Sequence, residues 1–471
     1  MVPDYDPRLL AVREELSRLT LAWARDKALD ADKAKTLRRR AASLNHARYF
    51  ANIPLYRRIC ERAGVTEAEP KFATLVADLM APDDIFKSYP QRLLDEGDFS
   101  AMNRWVSEVS TLDLPEEAGA HATLDDWVES LAGRGAHLVF SSGTSGAMSF
   151  VPRDALTWDA FTRMPFLYVP FVLADRGVLP GWKAFLARGL ARFLSPERLL
   201  DAFFKVGLRD FDGFFCNFSG GNQGIQLVGQ KIGAMCGKAH FLYDTRMSAT
   251  AVRAIVRGPA TENDARLMEE FLATTVHDKE ANYERLIREM RDSARRGRKC
   301  ILFGTPYLLL EICERVAAGG ALKLPKGSNV VFGGGWKSFT GERIPEAELL
   351  AVLSETFGIE PMAVCEGYSM TEIQALMLKC PHGLYHVPPH LEVVLLDEGL
   401  NAMDETSTTG ILGVLDPFAG SYPGFLVTGD SVRMASGPCA CGRPGLAIAQ
   451  VERSPGREVK GCGGIMAKVN A

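Results

Sequence analysis

Six consecutive small residues, Ser141-Ser142-Gly143-Thr144-Ser145-Gly146, stand between apolar Val139-Phe140 and the stretch Ala147-Met148-Ser149-Phe150-Val151-Pro152. The pattern reads as strand, tight loop, strand. Without bulky Cβ groups, such a loop lets backbone N–H groups converge on an anion, and its hydroxyls add donors, so a polyphosphate is the natural guest. A mononucleotide P-loop is a different object. It needs a lysine and a hydroxyl residue opening a helix, and no lysine follows Gly146. The alternative for the same residues is a polar hairpin.

A second cluster, Gly333-Gly334-Gly335, ends the apolar run Asn329-Val330-Val331-Phe332. Glycines at the carboxyl end of a strand let a ligand approach the backbone, where α/β sheets commonly bind small molecules. Two further stretches carry carboxylates at turn-like positions, Gly367-Tyr368-Ser369-Met370-Thr371-Glu372 and Val427-Thr428-Gly429-Asp430. The second reads as a strand that closes on a turn at Asp430.

Two short clusters, Cys380-Pro381-His382-Gly383-Leu384-Tyr385-His386 and Cys439-Ala440-Cys441, supply three thiols and an imidazole. That donor set suits a tetrahedral, structural zinc site, with His386 or His382 as the fourth ligand, although the spacing is not that of common zinc fingers. The alternative is reduced thiols in a tight turn. Cys462 is flanked by Gly461 and Gly463 and follows Lys460 by two positions, a flexible setting in which a cation favours thiolate. Its alternative is an unreactive cysteine near a chain end.

These residues need a scaffold, and the chain predicts an α/β one. With 471 residues it exceeds one ordinary core, so two or three domains are expected. Residues 1–130 read as a helical segment packing on the core, with helices from Pro7 to Gly64 broken near Ile53-Pro54. Residues 131–360 read as an α/β core with the phosphate loop. There Asp264–Gly297 is helical, Lys299–Gly304 a strand, Pro306–Ala318 a helix and Pro345–Phe357 another. Residues 361–471 hold the remaining motifs, the cysteine clusters and a C-terminal tail. Asp83–Pro90 reads as an irregular connection. The strand Asp210–Phe218 is aromatic; Phe214, Phe215 and Phe218 read as buried core first and as pocket wall second.

Composition narrows the partners. Hydrophobic residues at 47%, charged residues at 24% and a formal net charge of −4 describe a globular chain without the basic face that nucleic acid requires. The apolar run Met164–Ala174 is short and broken by Pro165 and Pro170, so no membrane span is expected. Ten cysteines without a leader-like start predict reduced thiols and a cytoplasmic location. A homodimer is the default expectation for oligomeric state.

In their fixed order, Ser141–Gly146, Gly333–Gly335, Gly367–Glu372 and Val427–Asp430 resemble the adenylate-forming superfamily, which makes acyl-AMP from a carboxylic acid and ATP. Asn45–Tyr56 resembles the early helix of phenylacetate–CoA ligase-like proteins and of LuxE-type acyl-protein synthetases. Gly334-Gly335-Trp336-Lys337 and Glu458-Val459-Lys460-Gly461-Cys462-Gly463 resemble LuxE in particular, as does the missing loop lysine.

The resemblance implies the superfamily's fold of packed α/β subdomains with a small β-rich one, and a role for each motif. Ser141, Ser142, Gly143, Thr144, Ser145 and Gly146 would hold the β- and γ-phosphates of ATP. Gly333, Gly334 and Gly335 would border adenine and the acyl pocket, with Tyr368 stacked on the base. Thr371 would meet the α-phosphate, Glu372 would hold Mg²⁺, and Asp430 would grip the ribose hydroxyls. Arg453 would take the hinge arginine's place, although Glu452 stands where a glycine is expected. Cys380, His386, Cys439 and Cys441 match zinc positions of some phenylacetate–CoA ligase-like proteins. Cys462 would accept the acyl group and pass it to an acceptor protein. The mobile C-terminal domain of most members is expected to be absent or vestigial.

The expected function is therefore ATP- and Mg²⁺-dependent activation of a small-molecule carboxylic acid, then transfer to a thiol. Two alternatives stay open: a stand-alone ligase delivering to CoA, an amine or a carrier protein, and a non-catalytic nucleotide-binding scaffold.

Overall fold

The computed structural model describes residues 4–66, 68–142, 147–177, 189, 192–336, 343–404 and 406–454. Its first two helices start where the sequence offers caps. Asp6 accepts from the Arg8 N–H ahead of the helix Pro7–Asp26, and Asp30 accepts from the Lys33 N–H ahead of Ala31–Asn52. Leu9, Val12 and Leu16 bury one face of the first helix at helical spacing. A third helix, Pro54–Ala63, begins after the break at Ile53 and stops at Gly64, whose φ of 70° lies in the left-handed region.

The centre is a six-stranded sheet in the order Cys236–Arg246, Leu208–Gly220, Lys299–Gly304, Asn329–Gly333, Val364–Ser369, Leu376–Leu378. All neighbours are parallel except the last pair. A parallel sheet is covered on both faces, so its strands are apolar throughout rather than alternating. Phe211, Phe214, Phe215 and Phe218 are accordingly all buried. The chain is α/β, as the alternation of its segments predicts.

A second, mainly antiparallel sheet takes Tyr385–His386, Ala447–Arg453, Phe425–Met434, Thr409–Leu415 and Glu392–Leu396 in that order. Ala81–Pro82 joins it in parallel beside Phe425–Met434. The N-terminal segment is thus not purely helical. Two expectations change here. Asp83–Lys87 is a 3-10 helix rather than irregular. Asp430 does not close a turn: it lies inside Phe425–Met434, paired with Arg453, because the partner strand Ala447–Arg453 carries the ladder past it. The hairpin His137–Ser142 and Met148–Arg153 lies beside the central sheet through the bridge Phe140–Gln223. Among the described residues no helix is long and apolar enough to cross a membrane.

Buried polar groups tie the helical layer to the loop between Ser369 and Leu376. Arg13 Nε donates to the Pro417 carbonyl at 2.7 Å, and Asn45 Nδ2 donates to the same oxygen at 3.1 Å. Next to them Asp416 accepts from the Gln374 N–H at 2.7 Å and the Phe418 N–H at 2.8 Å. His390 sits fully buried between Thr20 on the first helix and the Gln374 carbonyl. A carbonyl only accepts, so His390 Nε2 carries the proton and Nδ1 accepts from the Thr20 hydroxyl.

Burial depresses the His390 pKa to about 4, against an ordinary value of 6.5. Between these values the unfolded chain binds the extra proton and the folded one does not. The stability that depends on neutral His390 is therefore complete above pH 6.5 and is lost as pH falls toward 4. Urea unfolding of the native chain and of His390→Gln across this window should differ in slope by about 1.4 kcal/mol per pH unit.

Candidate functional site

Adjacent strands of the central sheet carry glycine at the same level, Gly333 at the end of one opposite Gly367 within the other. A Cβ on Gly333 would come within 2.8 Å of the Gly367 carbonyl oxygen, so the two backbones approach closely only because the side chain is absent. Gly334 and Gly335 then turn the chain with φ of 83° and 61°. Two cavities open at this edge. One, of about 510 Å³, is polar and lined by Ser141, Gly335, Tyr368, Glu372, Asp430 and Arg453 among others. The other, of about 160 Å³, is apolar and runs along the sheet face beside Val331, Ile301 and Phe303. Gly334, Gly367, Ser369, Met370 and Thr371 line both.

Thr371 and Glu372 are buried yet face these cavities, because their backbone is held from behind. Arg153, with no exposed surface, donates through Nη2 to the Thr371 carbonyl. The Tyr422 hydroxyl donates to the Glu372 carbonyl at 2.8 Å. Arg153 is itself sandwiched, its guanidinium 3.9 Å from the Phe161 ring centre and 5.5 Å from that of Tyr422. Burial pulls its pKa down from the usual arginine range, opposed by Tyr422, Glu372 and Asp416. Nothing in the sequence marked Arg153, which follows Pro152 at the end of its strand.

Asp430 is a shared acceptor. Its Oδ2 takes the Tyr368 hydroxyl at 2.8 Å and its Oδ1 takes Arg453 Nη1 at 2.8 Å. Gly429 makes room for that guanidinium, since a Cβ there would lie 2.7 Å from Arg453 Nη1. Burial, reinforced by the Asp430 charge, holds the Tyr368 hydroxyl far above its ordinary pKa, so it remains a donor at neutral pH.

The structure thus brings Ser141, Gly334, Gly335, Tyr368, Thr371, Glu372, Asp430 and Arg453 to one cavity, with Gly333 on the apolar side. Gly143, Thr144, Ser145 and Gly146 lie outside the described residues, as do the Ser142 side chain and Cys462. Asp83, Arg343, Glu366 and Tyr385 also line the polar cavity. Asp83 and Arg343 belong to no motif, whereas Glu366 directly precedes Gly367 and Tyr385 lies within the first cysteine cluster, where residue type alone assigns neither of them to this cavity. Phe214, Phe215 and Phe218 do not line the apolar cavity, whose aromatic wall comes instead from Phe161, Phe166, Phe203, Phe303 and Phe332. Trp336 faces the polar side.

The cysteine clusters also meet. One ligand atom each from Cys380, His386, Cys439 and Cys441 lies within 4.8 Å of the others. Cys380 Sγ and Cys439 Sγ are 3.6 Å apart, beyond disulfide bonding, and Cys441 Sγ is 3.2 Å from His386 Nε2. His382 is exposed and stands outside the cluster. Lys27 Nζ donates to the Cys441 carbonyl at 2.8 Å, and Arg443 Nη1 to the Trp23 carbonyl at 2.8 Å, so the cluster adjoins the end of the first helix. This group of donors could hold a metal ion.

A family model described as acyl-protein synthetase, LuxE, matches residues 267–470, a span that contains Gly333–Gly335, Tyr368–Glu372, Asp430 and both cysteine clusters. Residues 267–470 are LuxE-like. Two long-chain-fatty-acid–luciferin-component ligases are similar to this chain. That of Vibrio harveyi is 28% identical over 194 residues, 40% of this chain and 50% of that protein. That of Aliivibrio fischeri is 24% identical over 200 residues, 41% and 52% respectively. The chain thus spans about half the length of the two relatives it matches. A solved 2-hydroxyisobutyryl-CoA ligase, in complex with its acyl-AMP and CoA, shares 12% identity over 90% of this chain and 68% of that one, with a TM-score of 0.46. In the LuxE-like region Gly334 and Gly367 of the central sheet's edge and Asp430 of the second sheet come together at the polar cavity.

The close approach at Gly333 makes a sharp expectation. Gly333→Ala must push against a backbone carbonyl rather than a flexible side chain, so it should cost about 1–3 kcal/mol of unfolding free energy. Gly335→Ala, whose Cβ meets nothing within 4 Å, carries only the cost of its left-handed φ and should lose less. Chemical denaturation of the two variants makes the comparison.

Proposed function

We propose that this chain activates a carboxylic acid with ATP, forming acyl-AMP and releasing pyrophosphate, and then gives the acyl group to a thiol. The observation that carries the reading is the junction at Gly334, Gly367 and Thr371, where a polar cavity with a carboxylate pair and an apolar cavity share a wall. Joining a nucleotide to an acyl chain needs such a junction. The reacting carboxylate must lie in line with the α-phosphorus while its tail stays out of water, so catalysis is positioning and electrostatics.

The lining of the polar cavity supports the part of each described residue, and the resemblance that of Ser142–Gly146. Asp430 takes the ribose hydroxyls in exchange for its present donors, Tyr368 and Arg453. Tyr368 and Gly334–Gly335 border the base. The Thr371 hydroxyl reaches the α-phosphate, its backbone fixed by Arg153. Ser141–Gly146 supply donors to the leaving pyrophosphate, and Arg343 and Arg453, which face the same cavity, offer positive charge where a loop lysine is missing. Glu372 presents carboxylate oxygen, the donor type a hard cation takes, and would hold Mg²⁺, whose charge offsets that of the phosphates.

The acid is lipid-like. Its cavity lining is almost wholly apolar, and the fatty-acid ligases similar to this chain agree with that class. Cys462 is the proposed first acyl acceptor, by its place in the LuxE-like tail, and a partner protein the second. With ATP, Mg²⁺ and fatty acids, the full chain should release pyrophosphate. Glu372→Gln should lower kcat about 10²- to 10³-fold, a typical loss for one preset electrostatic group. Asp430→Ala should raise the KM for ATP about tenfold or more. Labelled acyl chain retained on the protein, and lost in Cys462→Ser, would support the thiol step; retention in that variant would move the acceptor elsewhere.

We also assign Cys380, His386, Cys439 and Cys441 to a structural zinc ion. Tetrahedral zinc with bonds near 2.3 Å separates two sulfurs by about 3.8 Å, close to the gap between Cys380 and Cys439. Four protein ligands leave no open position for chemistry. Elemental analysis of the purified chain should give one zinc per molecule. Cys441→Ser should lose the metal and lower the Tm, whereas His382→Ala should keep both.

A further inference from the structure

Beyond Ser369 and Thr371 at its mouth, the described lining of the apolar cavity contains a single polar side chain, Asn329. It is 1% exposed, and neither its Oδ1 nor its Nδ2 has a hydrogen-bond partner. Asn329, Val331 and Gly333 all line the cavity, as the two-residue period of a strand requires for one face. Gly333 stands at the mouth beside Gly334 and Thr371. Asn329 is four residues further back, roughly 13 Å deeper at about 3.3 Å per residue. An amide buried with both its donor and its acceptor unmet is destabilising, and apolar residues of similar size would fill that place without the cost. Its survival in an apolar wall points to a polar group that arrives with the ligand.

We propose that the acid activated by this chain carries a hydroxyl group far from its carboxyl, and that Asn329 recognises it. This rests on the adenylation reading above. A hydroxyl accepts from Asn329 Nδ2 and donates to Oδ1, so one group satisfies both atoms. A second carboxylate does not fit, because no charged side chain is among the described lining residues to compensate it. An extended chain advances about 1.2 Å per bond, which places the hydroxyl roughly ten bonds from the carboxyl. The substrate class is thus an acid of about ten to twelve carbons hydroxylated at or near its far end.

Pyrophosphate release is measured with terminally hydroxylated and unsubstituted acids of this length, on the full chain and on Asn329→Leu and Asn329→Val. The full chain should favour the hydroxylated acid in kcat/KM by about tenfold or more, mainly through KM. Either variant should lose the preference while still turning over the unsubstituted acid. Equal or lower efficiency with the hydroxylated acid in the full chain overturns the assignment and leaves adenylation standing, as does a folded variant that keeps the preference. If no acid releases pyrophosphate, the adenylation reading falls, and binding decides the pocket by itself. A larger thermal shift with the hydroxylated acid, lost in Asn329→Leu, supports Asn329 recognition; equal shifts overturn it.

Discussion

The site depends on a buried guanidinium. Arg153 has no exposed surface, yet it holds the Thr371 carbonyl while two aromatic rings flank its charge. Taking a charge out of water is costly unless it is compensated, and here the compensation is the loop that presents Thr371 and Glu372. Tyr422 and Asp416 complete the arrangement by engaging the Glu372 carbonyl and the Gln374 N–H. Two distant segments, the strand that carries Arg153 and the connection that carries Asp416 and Tyr422, therefore fix the backbone of one short turn, whose Thr371 and Glu372 line the polar cavity.

That arrangement explains why the helical layer and the second sheet are not accessories. Arg13 and Asn45 grip the Pro417 carbonyl beside Asp416, and His390 bridges Thr20 to the Gln374 carbonyl. The cysteine cluster adds a further tie at the end of the first helix. Polar groups this deeply buried are useful only when fully met, so the loop's position and the packing of the layers are one problem. Arg153 lacks a partner only at Nε, whereas Asn329 lacks one at both its donor and its acceptor.

Much of the fold was legible in the sequence. The helical spacing after Pro7, the break at Ile53-Pro54, the apolar strand runs and the glycine clusters each state a local backbone requirement that the residue type itself discloses. The cysteine pairs could be recognised as a donor set, and the ordered motifs foretold which stretches would share a cavity. Asp430 was misplaced at a turn because Gly429 resembles a turn residue; its glycine is there for the Arg453 guanidinium, a contact from another strand.

The sequence by itself determined the α/β class, the motif order, the three thiols of the cysteine cluster, and that Ser141, Gly334, Gly335, Tyr368, Thr371, Glu372, Asp430 and Arg453 belong to one site. Only the tertiary structure decided that Phe161, Phe166, Phe203, Phe303 and Phe332 rather than Phe214, Phe215 and Phe218 wall the apolar cavity, that Arg153 anchors Thr371, and that Asn329 is buried without a partner. The physical reason is range. A residue's type reports what its own backbone and immediate neighbours need, whereas burial, pairing and the lack of a partner are set by segments that meet only when the chain has folded.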